Sequence, residues 1–161
     1  MEDLNDDDVL IAIKASQARR WLGISALFAL GVLFLALVFE PAGGVWRFTF
    51  LVLGGLAFFA AERLRYYTGD TIELTRKVIR TANGRHLAYV DNVKAVERGA
   101  FAFKPSNGFL VRLHKAEGRG WAPGLWWQRG RLLGVGGVIP GGQSRAMAEL
   151  LSALLQEQVV G

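Results

Sequence analysis

The side chains able to do covalent or acid–base chemistry are few and scattered. His86 and His114 are the chain's two histidines, each isolated on a strand-like stretch, where a lone histidine is structural or solvated. Asp91 and Glu97 read as charges at strand edges, not as a paired general acid and base. No serine sits in a nucleophile elbow. The chain has no cysteine, which excludes disulfides, thiol nucleophiles and thiolate-bound zinc or iron–sulfur sites. "GVGGV", from Gly134 to Val138, lacks the G-x-G-x-x-G spacing and runs into a Pro-Gly turn, so it does not read as a dinucleotide fingerprint. The sequence therefore assigns no catalytic, cofactor-binding or metal-binding residue and predicts a protein that is not an enzyme.

What remains is the chemistry of recognition. Between Gly118 and Gly142 lie Trp121, Trp126 and Trp127 together with Arg119, Arg129 and Arg131. Trp126 and Trp127 are consecutive, so on a strand they face opposite sides and at most one enters a single core. Tryptophan beside arginine is the composition of protein interface hot spots, and also of surfaces that lie against lipid headgroups. Internal packing alone is the third reading. Phe103 and Lys104, in "FAFKPSNGF", carry the same ambiguity.

The elements that would position these residues fall into three parts. In residues 1–20, "MEDLNDDD" carries five acids and "IKASQARR" three bases. Acids before bases suit a helix dipole, so a helix over Asp6–Arg20 is expected, with a solvated disordered tail as the alternative. Residues 21–39 are nineteen without a charge. As a helix they reach ~29 Å, close to the ~30 Å of a hydrocarbon core. A second apolar run, Val45–Ala61, follows "EPAGG" and is interrupted only by Arg47. The first run is longer than a signal-peptide core, and two such runs in succession argue against buried soluble helices. A transmembrane hairpin over 21–61 is the expectation, with Trp21 and Trp46 as interfacial anchors. Lys14, Arg19 and Arg20 precede it, Arg63, Arg65, Arg76 and Lys77 follow it, and the turn Pro41–Gly44 has none; both termini are then cytoplasmic. Ser25, Ala29 and Gly31, with Gly54, Gly55, Ala57 and Ala61, allow close helix approach, either within the hairpin or to a partner's helices.

Residues 62–161 carry a charge of +7 against −2 for the first 61, which makes the overall +5. A basic domain tethered to an anionic leaflet accounts for that sign without nucleic acid. The pattern here is of strands followed by one helix. "TIELTRKVIRT" and "RHLAYV" flank Asn83-Gly84, a strong hairpin signal. Val93, Val96, Phe101 and Phe103 continue the apolar pattern, Asn107-Gly108 turns, and "FLVRLHKA" alternates. "QRG" turns the chain between "LWW" and "RLLGVGG". Met147, Leu150, Leu151, Leu154 and Leu155 share one face of a helix over Gln143–Gln158, with Leu150 and Leu154 expected in the core.

"IELT", "VIR" with its glycine turn, "VDNVKAVE", "GFLVRL", "GVGGV" and a terminal helix, in that order after a hairpin, resemble the membrane-anchored bacterial pleckstrin-homology-like (PH-like) proteins, over roughly residues 62–157. These motifs are strand patterns, not catalytic signatures. The resemblance implies an α+β membrane protein: a cytoplasmic N-terminal segment (1–20), a two-helix transmembrane hairpin (21–61) and a cytoplasmic PH-like β-barrel of six or seven strands closed by a C-terminal helix (62–161). Some PH-like membrane proteins help assemble photosynthetic complexes, usually with one more span than is present here. The expectation is therefore a non-enzymatic accessory subunit or assembly factor of a larger respiratory or photosynthetic complex in the bacterial inner membrane. Its partners would be an integral membrane protein complex and anionic phospholipids, with no cofactor and no nucleic acid. A lipid- or ligand-sensing module without a stable protein partner is the alternative.

Overall fold

A computed structural model describes residues 8–40, 44–98 and 106–160. It is α+β and divides into two compact units: Gln17–Tyr67, and the segments before Gln17 together with those after Tyr67.

The first unit is a pair of helices, α1 (Gln17–Val38) and α2 (Gly44–Tyr67). Both are long and apolar enough to cross a membrane. At 1.5 Å per residue they measure about 33 and 36 Å. Small residues set their separation. A side chain on Gly31 would run into the Phe58 ring at 2.9 Å, and Gly54 faces the Gly31 carbonyl and Leu35 at 3.4 Å. Ala57 and Ala61 are buried on the same seam, and Phe28 meets Phe58 edge-on at 5.1 Å. Polar groups gather at one end. Arg20 Nη2 donates to the Arg65 carbonyl (3.2 Å), placing a cation at the C-terminal turn of α2, where the helix dipole favours it. Arg63 lies over the rings of Phe59 and Tyr67 and donates to the Tyr67 hydroxyl (2.8 Å). Trp21 at this end and Trp46 at the other are both exposed.

In the second unit, strand β1 (Ile11–Lys14) pairs antiparallel with β2 (Thr71–Leu74), β2 with β3 (Val78–Thr81), and β3 with β4 (His86–Tyr89). The expected helix over Asp6–Arg20 is thus corrected in its described part: a strand precedes α1, which begins only at Gln17. The reason is burial. Ile13 lies opposite Ile72, both with no exposed surface, and Leu10 N–H continues the ladder to the Leu74 carbonyl (2.8 Å). A short helix here would bury nothing and be marginal in water. The helix pair is therefore inserted between two neighbouring strands of one sheet, through connections of two residues (15–16) and three (68–70).

"TIELTRKVIRT" is two strands, not one. Thr75 Oγ1 accepts from Lys77 and Val78 N–H (3.2 and 3.0 Å) and breaks the run with a tight turn. Asn83-Gly84 turns as expected, with Gly84 at φ 83°. A 3-10 turn, Val90–Asn92, leads into the second sheet: β5 (Val93–Glu97), β6 (Phe109–Leu113), β7 (Arg119–Ala122), β8 (Trp126–Arg129) and β9 (Leu132–Val135). Its order is β5-β6-β9-β8-β7, all antiparallel. The β8–β9 turn is Gly130-Arg131, with Gly130 at φ 60°, so Gln128 belongs to the strand.

The strands make two sheets among the described residues, not a closed barrel. Side chains bridge them. Gln128 Nε2 donates to the Leu87 carbonyl (2.7 Å), and Glu117 Oε2 accepts from Tyr89 N–H (2.9 Å), which satisfies backbone groups along the outer edge of β4. The last helix, α3 (Gly141–Val160), lays Met147, Ala148, Leu151 and Leu154 into the core. Leu150, expected inside, is half-buried; the inward stripe runs through 147, 151 and 154, one position to its side.

Candidate functional site

Register and strand order decide where the tryptophans go. Trp126 and Gln128 of β8 face inward and are buried, opposite Val135 and Leu133. Trp126 is thus a core residue. Its ring carries the Arg85 guanidinium at 4.9 Å, and Arg85 Nη2 donates to the Arg119 carbonyl (3.4 Å). Gly120 makes room for both: a side chain there would meet Arg85 at 2.4 Å and the Trp126 ring at 2.8 Å.

Trp127 points to the opposite, outer face and is half-buried. It lies on Gly134, its cross-strand partner, where a β-carbon would fall 2.3 Å from the indole nitrogen. On its other side the register partner is Trp121, which is 69% exposed. One cross-strand row of the outer face therefore reads Leu110, Gly134, Trp127, Trp121. The next reads Arg112, Leu132, Arg129, Arg119. Arg119 and Arg129 are exposed. The face is an aromatic row beside a basic row, with β7 at its edge.

Of the residues expected from sequence, the fold brings Arg119, Trp121, Trp127 and Arg129 together on this face. Arg131 sits in the adjoining turn and Trp126 is withdrawn into the core. Phe103 and Lys104, with Phe101, lie outside the described residues. Sequence reasoning missed Arg112 and the role of Gly134 as the seat of Trp127. The alternation in "FLVRL" marks Arg112 as outward, yet only strand order places it near Arg129.

Two carboxylates near this face make structural pairs. Glu97 binds Arg112 Nε across β5 and β6, and Glu117 sits 3.8 Å from His86 Nδ1 while holding the Asn92 amide. Among the described residues, no three or more His, Asp or Glu groups converge in a way that could hold a metal ion. Comparison with protein-family models, curated proteins and solved structures finds no match for this chain.

On the helix pair, the small residues divide into two sets. Gly31, Gly54, Ala57 and Ala61 are buried within the hairpin, whereas Ser25, Ala29 and Gly55 are exposed. Beside Gly55 there is open space.

Proposed function

We propose that this chain is a non-enzymatic accessory subunit or assembly factor of a larger complex in the bacterial inner membrane. Its helix pair crosses the membrane, both termini are cytoplasmic, and the β unit is PH-like, with two antiparallel sheets and a C-terminal helix packed on their core. The outer face of the five-stranded sheet contacts the partner complex, on a surface rich in acidic groups that complements Arg119 and Arg129.

The observation that carries this reading is Trp121. A large indole, 69% exposed, sits opposite a second indole and beside two exposed arginines. Solvated sheet faces seldom carry such a group, and protein interfaces concentrate it. The exposed Ser25, Ala29 and Gly55 support a second contact, between helices.

The test is co-purification from membranes in mild detergent, with thermal melts alongside. Trp121→Ala should lose its partners at an unchanged melting temperature, because hot-spot truncation costs about 2 kcal/mol or more of binding. Trp126→Ala should lower the melting temperature instead. Retention of the same partners by the Trp121 variant overturns the reading. The three arginines Arg119, Arg129 and Arg112 favour anionic phospholipid contact as a second reading. In that case Arg119→Gln with Arg129→Gln weakens binding to phosphatidylglycerol vesicles, with strong salt dependence, while protein partners stay bound.

A further inference from the structure

Beyond the tryptophan row, a shallow cleft of about 240 Å³ opens where β5, β6 and the β8–β9 turn meet. Lys94, Arg112, Leu113, His114, Arg131 and Leu132 line it. Three of the six are permanent cations, one is a histidine, and none is a carboxylate.

The backbone assembles this group by a local irregularity. The β5–β6 register shifts between Val93, opposite Leu113, and Ala95, opposite Arg112. Lys94 is the extra residue of this bulge, a device that re-aims a side chain. It brings Lys94 to the cleft beside Arg112. His114 follows Arg112 by two positions, and Arg131 arrives from the neighbouring turn, held there by Leu113 N–H donating to its carbonyl (2.8 Å).

Compensation is incomplete. Glu97 engages Arg112 through Nε. Among the described residues, the side chains of Lys94, His114 and Arg131 have no hydrogen-bond or ion-pair partner. Like charges held together by a fold, in a concave site, raise the local concentration of anions.

We propose that this cleft binds a phosphate group, carried either by a soluble phosphorylated molecule or by a phospholipid headgroup. Two guanidinium forks match the tetrahedral oxygens of phosphate and donate in pairs, and the lysine adds a point charge. A lone carboxylate leaves most of the charge unmet, and a cleft this small holds one group, not a polymer tract. The proposal rests on the cleft alone and survives if the Trp121 face proves to have no protein partner.

The experiment uses the full chain in maltoside micelles and calorimetric titration with two probes: inorganic phosphate, and glycerophosphoglycerol, the water-soluble diester headgroup of phosphatidylglycerol. Saturable binding of at least one probe is expected, with a dissociation constant below about 10 mM. Lys94→Gln with Arg131→Gln should weaken it by about tenfold or more, a change of ~1.4 kcal/mol. Arg119→Gln with Arg129→Gln, on the adjoining row, should change it less than about twofold. All variants are melted in parallel, and the single substitutions take over if the double variant melts lower. Preference for inorganic phosphate identifies a soluble phosphorylated ligand, and preference for the diester a lipid headgroup; either supports the cleft. Absence of binding by both probes overturns it, as does equal weakening by the two double variants, which is the signature of diffuse charge.

Discussion

Replacing Gln128 by leucine isolates one of the side-chain contacts that bridge the two sheets. Gln128 is 4% exposed and its amide donates to the carbonyl of Leu87, a residue with no exposed surface. Leucine is close in volume, so the packing beside Leu133 is kept while the donor is removed. A buried carbonyl without its partner costs about 1–3 kcal/mol. The apolar side chain recovers part of this, since it no longer desolvates an amide, leaving a net loss of about 1–2 kcal/mol. For a domain near one hundred residues that lowers the melting temperature by about 5–10 °C. The tryptophans of this unit make its melting visible in the near-ultraviolet circular dichroism of the full chain in detergent. Gln128→Glu sharpens the test. An ionised carboxyl faces the Leu87 carbonyl with no proton to give, whereas the protonated form restores the donor. Its folded pKa is therefore raised above the unfolded value of about 4.3. Stability is then greatest below that value and is lost as pH rises through the folded pKa. A leucine variant that melts at the original temperature, or a glutamate variant indifferent to pH between 5 and 8, refutes the view that this single bond joins β8 to β4.

Other outcomes are equally specific. Leu151→Ala, at a site with no exposed surface, should cost about 2–5 kcal/mol in the same melt, and Leu150→Ala clearly less. Gly31→Val should force the Phe58 ring aside and destabilise the helix pair by about 1–3 kcal/mol. Gly55→Ala meets open space and should be neutral or stabilising in isolation; loss of co-purifying partners from that variant alone would mark its face as a helix-docking surface. A cysteine at Gly44 should react with an impermeant reagent added to spheroplasts, and one at the exposed Gln156 should not; the reverse pattern ends the proposed topology.

The two apolar helices were legible because run length is a local signal that needs no partner. The α3 stripe was legible for the same reason, though its centre falls at Leu151 and not at Leu150. Strand β1 was not. Three aspartates ahead of Lys14, Arg19 and Arg20 imitate a helix dipole, and the only contrary sign is Ile11 and Ile13 two apart. Its partner β2 begins at Thr71, beyond the whole helix pair, so nothing local announces the pairing. The tryptophans show the same boundary. Alternation required Trp126 and Trp127 to part company, and they do. Which one enters the core depends on β8 lying between β9 and β7, an order no neighbouring residues encode. Trp127 then finds partial shelter on Gly134, and the exposed indole is Trp121.

The placement of the helix pair between β1 and β2 bears on how the chain is made. Strand β1 leaves the ribosome before β2 and has no strand neighbour until Thr71 emerges. At ordinary synthesis rates of about 5–20 residues per second that interval is roughly 3–11 s. Under the proposed topology both spans lie in the bilayer once the chain is complete. Under that topology the two strands can meet only after an even number of crossings, because an odd number leaves them in different compartments. A molecule with one helix left out strands Ile13 in water and leaves the Leu74 edge of the sheet unpaired. Completion of the four-stranded sheet thus requires, under the proposed topology, that the two helices share one fate, with β1 as the gauge.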